Sequence, residues 1–469
     1  MKHNGIIKNI SYTVTSNLVS FIISAVVTFF VPKSLGVENY GYFQLYIFYT
    51  SYTGLLYLGW GDGVYLKYGG AYYDKLDKRS ISGQFWGIVV YEMIVFVALL
   101  FIGCYFITPE SKASVVICTG AYIVVVWPKT ILLFILQCTN RIREYSIVVI
   151  IEKVVYIALV IIALSLNVHE FAPIIYADLV GKTAALLLSI WYCKDIVRSK
   201  PYKIKAILND IHEDISIGIK LTLSNISSML IIGIVRYSIE RQWSIAEFGK
   251  VSLSLSISNM LMVFVNAVAL VMFPVLRRTN PDRYKDIYET LRNLLMILLL
   301  GILIVYYPMR AVLNVWLPQY ADSLHYMAIL FPLCVFESKN SMLITTYLKT
   351  LRKEQTLMMI NIVAMIMSLL VSGITVFAMK NLEVAILSII VLIGFRCVLA
   401  ELIVSRILDI VVIKDIVYEL IAVTIFIVSS WLIGGIKGML LYSVVYIVYV
   451  FIKRDSLKTI IGYFIDIKR

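Results

Sequence analysis

The sequence predicts an all-α integral membrane protein of fourteen transmembrane helices, or twelve if the last two short apolar stretches are not spans. Three observations carry this. Hydrophobic residues make up 60% of the 469 and charged residues only 15%, with a mean hydropathy of +0.88, far too apolar for a water-soluble chain. Apolar windows of about 20 residues, the length that crosses a bilayer as a helix, recur from end to end. A patterned stretch also repeats: Ser16, Asn17 and Ser20 lead to Tyr40-Gly41, and in the same register Ser224, Asn225 and Ser228 lead to Phe248-Gly249. A shared register across two helices and their connection marks a duplicated bundle. The chain therefore reads as an N-terminal six-helix lobe (1–192), a cytoplasmic linker (193–214), a second six-helix lobe (215–407), an additional helix pair (416–452) and a cytoplasmic tail (453–469).

The first window, 11–31, spaces Thr13, Asn17, Ser20, Ser24 and Thr28 by three or four, so they share one helical face. Small hydroxyls let helices pack closely, and Asn17 adds the reading of a face that lines a wet cavity. The second window, 42–60, follows Pro32-Lys33-Ser34-Leu35-Gly36 and ends at Gly59-Trp60-Gly61-Asp62-Gly63, where the glycines break the helix. Four more lie near 85–107, 114–137, 146–166 and 170–192. Trp127-Pro128-Lys129 interrupts the fourth, because proline removes a helical hydrogen bond. After the linker come 215–238, 247–275, 286–308, 322–347, 356–378 and 383–406. The last pair, 416–433 and 439–452, is separated by Gly434-Gly435-Ile436-Lys437-Gly438.

A net charge of +13 would suit a nucleic-acid partner, but topology accounts for it. Lys75, Lys78 and Arg79; Lys194, Arg198, Lys200, Lys203 and Lys205; Arg277, Arg278 and Arg283; and Lys453 and Arg454 fall in alternate connections. The intervening ones hold only Lys33, Lys112, Arg241, Lys250, Arg310, Lys380 and Lys437. The positive-inside rule then puts both termini in the cytoplasm and implies no nucleic acid. Cys104, Cys118, Cys138, Cys193, Cys334 and Cys397 lie in spans or at their ends without CxxC spacing, which argues against a disulfide framework or a metal site. Lys2 and Lys8 precede the first apolar run as in a signal peptide, but that run lacks a small-x-small cleavage site and is read as a retained span. No cofactor motif is present.

A charge at mid-membrane costs about 2.5–3.5 kcal/mol, so each one calls for a reason. The basic set is Lys129, Lys153, Lys182, Lys220, Arg236, Arg292, Lys339 and Arg396; the acidic set is Glu92, Glu152, Asp178, Glu337 and Glu401. Lys220 and Arg292 sit within two turns of the inner surface and are expected to snorkel. Asp178 and Lys182, four apart, are spaced to pair. Glu152 and Lys153 point about 100° apart, Glu337 and Lys339 lie on nearly opposite faces, and Arg396 and Glu401 diverge by about 140°. These groups need partners on other helices, or water. Together they describe a polar, basic interior suited to phosphate or pyrophosphate. The candidate binding residues are Lys153, Arg236, Lys339, Arg396, Lys220, Asn17 and Asn225. Glu152, Asp178 and Glu337 are candidates for coupling to H+ or Na+.

Two stretches carry a family resemblance. One is Val31-Pro32-Lys33-Ser34-Leu35-Gly36-Val37-Glu38-Asn39-Tyr40-Gly41 with Leu58-Gly59-Trp60-Gly61-Asp62-Gly63 before a basic loop; the other is Arg236 with Glu247-Phe248-Gly249. They resemble the polysaccharide flippases of the multidrug/oligosaccharidyl-lipid/polysaccharide exporter superfamily. Members often carry Asp just before that Arg, where this chain has Val235, so no carboxylate role is carried over there. The resemblance implies two six-helix lobes around a central cavity, alternating access, and a polyprenyl-diphosphate-linked oligosaccharide as cargo. It further implies a bacterial cytoplasmic membrane, surrounding membrane lipids, and other polysaccharide-assembly membrane proteins as partners. A drug, metabolite or cation antiporter of the same fold is the first alternative; exporters of cations are expected to have a more acidic interior. A membrane glycan polymerase or ligase is the second, and would need a sizeable outer loop to house its chemistry. No outer loop exceeds roughly a dozen residues, and His169 and His325 sit at outer helix ends without evident partners. No enzymatic role is expected.

Overall fold

The computed structural model describes residues 2–260, 262 and 283–454. Among them, eleven helices are long and apolar enough to cross a membrane, or twelve if Pro318–Leu330 and Leu333–Thr350, bent by 46°, make one span. The first two expected windows run together in α1 (Lys2–Tyr52), which is divided at Gly36, where φ 72° and ψ 175° are not helical. The expected window 247–275 is described mainly as α9 (Ile245–Met260). The rest of it, apart from Met262, lies outside the described residues, as do Arg277, Arg278, the tail beyond Arg454 and the side chains of Lys2, Lys8 and Thr13.

The chain divides into two units, Met1–Ile226 and Ser227–Arg469. The first contains α1, α2 (Trp60–Lys67), α3 (Lys78–Phe106), α4 (Glu110–Cys138), α5 (Ile142–Ser165), α6 (Phe171–Tyr192), the short α7 (Lys194–Val197) and the first part of α8 (Ile204–Gln242). Helices α4, α5 and α6 pack on one another and on α1, while α3 lies along α4. Trp127, Ile131, Leu132 and Ile135 of α4 meet Trp60, Phe85 and Ile88 in a buried core. Pro128 does not interrupt α4, which continues unbroken to Cys138. Contrary to expectation, the glycine run does not break a helix but opens one, since α1 already stops at Tyr52. Gly59, in the left-handed region at φ 78°, caps α2, and Gly61 and Gly63 are helical within it. A Cβ on Gly63 would stand 1.9 Å from the Asp214 carbonyl oxygen, and one on Gly218 2.0 Å from that of Gly59. Only hydrogen at these positions lets the α2 and α8 backbones touch. Thr222 Oγ1 closes the junction by donating to Asp62 Oδ2 at 2.5 Å.

The second unit holds the remainder of α8, then α9, α10 (Tyr284–Ile302), α11 (Tyr306–Trp316), α12 (Ala321–Leu330), α13 (Leu333–Ser338), α14 (Thr346–Thr350), α15 (Glu354–Ser372), α16 (Leu382–Leu408), α17 (Ile413–Val428) and α18 (Gly435–Ile452). Three π-helical segments, Lys339–Thr345, Gly373–Ala378 and Ser429–Ile433, interrupt or extend these helices. Such wide turns are uncommon and frequently mark functional positions. Corresponding positions of the two repeated stretches have matching burial. Ser16 and Ser224 are buried, Asn17 and Asn225 exposed, Ser20 and Ser228 half-buried, and both Tyr40 and Phe248 fully buried. Large apolar side chains such as Phe106, Leu187, Val315 and Val448 stand exposed, as a lipid-facing surface requires.

Candidate functional site

In the first unit, three helices bring charge to one place and a fourth adds a hydroxyl. Lys129 comes from α4, Glu152 and Lys153 from α5, Asp178 and Lys182 from α6, and the Tyr46 hydroxyl from α1. Lys129 Nζ lies 2.5 Å from Glu152 Oε2, and Lys182 Nζ 3.8 Å from Glu152 Oε1. Lys182 also contacts Asp178 one helical turn away, as their spacing predicts. Tyr46 donates to the other oxygen of Asp178 at 2.8 Å, and the Tyr122 ring lies 5.4 Å from Lys182 Nζ. Lys153 is the outlier: it stands 3.9 Å from Glu152 Oε1, and its side chain is 30% exposed against 7–15% for the other four charged groups. Three lysines face two carboxylates, so the surplus positive charge sits at the open edge.

The second unit holds a deeper network. Arg292 Nε of α10 donates to Glu401 Oε1 of α16 at 2.6 Å, Nη1 donates to Asp415 Oδ2 at 3.2 Å, and Nη2 lies 2.9 Å from Glu419 Oε1. Lys339, the first residue of a π-helical turn, contacts Glu401 and lies 2.6 Å from Glu419 Oε2. Lys453 Nζ closes the set, 2.7 Å from Asp415 Oδ1 and 3.0 Å from Asn293 Oδ1. Arg292, Lys339, Glu401 and Glu419 are at most 5% exposed. Separately, Arg396 Nη2 donates to Glu337 Oε1 and Nη1 to Ser228 Oγ, each at 2.6 Å.

Of the residues singled out in the sequence, Glu152, Lys153 and Asp178 come together. Arg396 and Glu337 form a pair. Lys339 lies in the deep network, so the two-residue offset of Glu337 and Lys339 sends them to different partners, as their opposite faces require. Arg236 donates from Nη2 to Ser252 Oγ at 2.9 Å and lies 5.2 Å over the Phe248 ring. Lys220, Asn17 and Asn225 are exposed and belong to neither cluster. Arg292 corrects an expectation: it does not snorkel to the inner surface but is 1% exposed among three carboxylates. A guanidinium with that many anionic partners has no need of water. Asp415 and Lys453 sit at the ends of their spans, where charge is ordinary, and Glu419 lies within the expected window 416–433 but is missing from the mid-membrane acidic set. The four-residue spacing of Asp415 and Glu419, which puts both on one helix face, was the available signal.

A family model described as polysaccharide biosynthesis protein matches residues 6–280. No curated protein gives a significant match. Among solved structures, the chain resembles the lipid II flippase MurJ in an inward closed conformation, with a TM-score of 0.67 at 12% identity over 96% of this chain and 100% of that one. It also resembles a multidrug resistance MATE family transporter of the MOP superfamily. The inward-facing form gives a TM-score of 0.59 at 12% identity over 84% of this chain and 98% of that one. The outward-facing form gives 0.54 at 12% identity, over 86% and 96%. At such identities the likeness is one of fold.

Proposed function

The chain belongs to the polysaccharide biosynthesis protein family, and from this we propose that it is a flippase carrying polyprenyl-diphosphate-linked oligosaccharide units from the inner to the outer leaflet by alternating access. Its place is the bacterial cytoplasmic membrane, with both termini cytoplasmic, where it serves cell-surface polysaccharide assembly alongside other membrane proteins of that process. The observation that carries the reading is the surplus lysine at the open edge of a membrane-buried cluster. An anionic diphosphate matches that charge, whereas a cationic drug would be repelled by it. The fold shared with a lipid II flippase supports the same cargo class.

Lys153 meets the diphosphate in this scheme; Lys220, Asn17 and Asn225 of the first unit and Arg236 of the second are further candidate binding residues, each taken within its own unit. Phosphate arriving at Arg396 displaces Glu337, and the freed carboxylate takes up H+ or Na+. Glu152 and Asp178 are the other candidate coupling groups. Lys339, held between two glutamates, acts as a positioning residue in this scheme. The test is reconstitution of the full chain in proteoliposomes with a fluorescent polyprenyl-diphosphate saccharide, followed by complementation of a deletion strain scored for surface glycan. Transfer of the saccharide across the bilayer supports the reading. Exchange of a cationic dye without saccharide transfer would instead support an antiporter, and extension of the glycan chain a polymerase.

A further inference from the structure

An apolar groove of about 490 Å³ opens on the first unit between α2, α3 and the start of α8, lined among others by Leu58, Trp60, Trp86, Val90, Ile204 and Ile211. Three of the aromatics that line it have their polar atoms engaged, while the buried Tyr57 hydroxyl has no hydrogen-bond partner among the described residues. Trp86 Nε1 donates to the Val197 carbonyl at 3.2 Å, Trp60 Nε1 to Gln84 Oε1 at 3.1 Å, and Tyr91 Oη to the Leu56 carbonyl at 3.0 Å. Leu58 is held in the left-handed region at φ 53°, uncommon for any residue but glycine, and its side chain is left exposed at the groove. The lining of α8 runs from Ile204 to Ile215. At the helical rise that is about 16 Å, about half of a ~30 Å hydrocarbon core. This length suits one acyl chain of one leaflet and is too short for a many-unit polyprenyl tail.

One end of the groove is strongly basic. Pro201 and Ile204 line it, and Lys200, Lys203 and Lys205 beside them are exposed. Arg79, one turn from the lining residue Gly83, donates its Nε to the Lys200 carbonyl at 3.1 Å and stacks 4.5 Å from the Tyr202 ring. These contacts fix the guanidinium and leave both terminal nitrogens free among the described residues. The nearby carboxylates are already engaged: Asp210 accepts from Ser80 Oγ at 2.5 Å, and Asp195 binds Lys78 Nζ at 2.5 Å and accepts from Tyr73 Oη at 2.7 Å. A guanidinium fork and exposed lysines at the mouth of a one-leaflet apolar slot complement a phosphate headgroup on an acyl chain. We propose that this groove is a binding site for an anionic phospholipid of the cytoplasmic leaflet, with the headgroup phosphate on Arg79 and Lys203.

The site does not depend on the transport reading, and its test contains no cargo. The full chain is placed in phosphatidylcholine nanodiscs doped with phosphatidylglycerol brominated on its acyl chains. Quenching of Trp86 is taken as the difference between wild type and Trp86→Phe. Brominated phosphatidylglycerol should quench several-fold more effectively than brominated phosphatidylcholine. Losing one cation, worth about fivefold, should by itself bring that preference close to one in Arg79→Gln and likewise in Lys203→Gln. Val90→Phe, which fills the slot, should abolish Trp86 quenching by either lipid. Equal quenching by the two lipids in the wild type would overturn the proposal, as would a preference indifferent to both cation variants. Displacement of brominated phosphatidylglycerol by unlabelled polyprenyl phosphate would reassign the groove to the carrier lipid.

Discussion

The two buried charge clusters use the same residue types in opposite ways. In the first unit, Lys129, Lys153 and Lys182 outnumber Glu152 and Asp178, and the spare cation is the most exposed of the five. In the second, Arg292, Lys339 and Lys453 meet Glu401, Asp415 and Glu419 one for one, with the core of the network sealed from solvent. A balanced, buried network has no charge left to offer a ligand; it fixes which helices sit together, because each partner left alone would be stranded. A cluster with a surplus at its edge still has an electrostatic interaction to make. On the proposed function, the second cluster gives rigidity and the first the binding.

The severest way to break this assignment is to unbalance the sealed network. Lys339→Ala leaves Glu401 and Glu419 to share Arg292, and removing one partner of a buried pair costs about 3–5 kcal/mol. We expect a large loss of thermal stability in the detergent-purified protein. The double variant Lys339→Met/Glu401→Gln should recover part of it, since no lone charge then remains. An unchanged melting temperature for Lys339→Ala would mean that the network does not hold α10, α16 and α17 together. Glu152→Gln comes next. Lys129 and Lys182 lose their shared negative charge, yet Asp178 remains beside Lys182 and the site is less deeply buried. A loss of about 1–3 kcal/mol is expected, measured the same way, and a loss equal to that of Lys339→Ala would erase the contrast between the clusters.

How far the sequence foretold this follows from the kind of signal each feature leaves. Spans were legible because about 20 apolar residues in a row have few other uses. Gly36 shows the limit: one non-helical glycine decides whether 11–31 and 42–60 are two helices or one divided helix, and composition is silent on ψ. The pairing of Asp178 with Lys182 was readable because four residues make one turn. The partners of Glu152, Lys339 and Arg396 were not, because they come from helices distant in sequence. Nor does hydropathy reveal that Gly63 and Gly218 are needed for backbone contact between α2 and α8, or that Leu58 adopts a positive φ beside an apolar groove.

A third variant sharpens the comparison from the functional side. Lys153→Gln removes the surplus charge without stranding any group, since Glu152 keeps Lys129 and Lys182. Stability should stay within about 0.5 kcal/mol of wild type. Saccharide transfer in proteoliposomes should fall about tenfold, the loss of one charge-assisted hydrogen bond of about 1.5 kcal/mol. Full transfer by a stable Lys153→Gln protein would move the binding function away from this cluster.

The smallest effect belongs to an exposed pair that serves as the reference for both clusters. Asp195 of α7 lies 2.5 Å from Lys78 of α3, with its side chain 40% exposed. Partial burial raises its pKa, but the hydrogen bonds from Lys78 and Tyr73 and the charge of Lys78 outweigh this and hold the carboxyl below the usual range. A depressed folded-state pKa contributes stability that is fully present above the unfolded value of about 3.9 and is lost as pH falls through the folded value. Because water screens the pair, that contribution is about 0–1 kcal/mol at most. Asp195→Asn should therefore flatten the acid limb of the melting-temperature profile slightly between about pH 5 and 3, and leave it unchanged at neutral pH apart from that small offset. If this variant cost as much as Lys339→Ala, burial would not be what separates the sealed network from an ordinary surface contact.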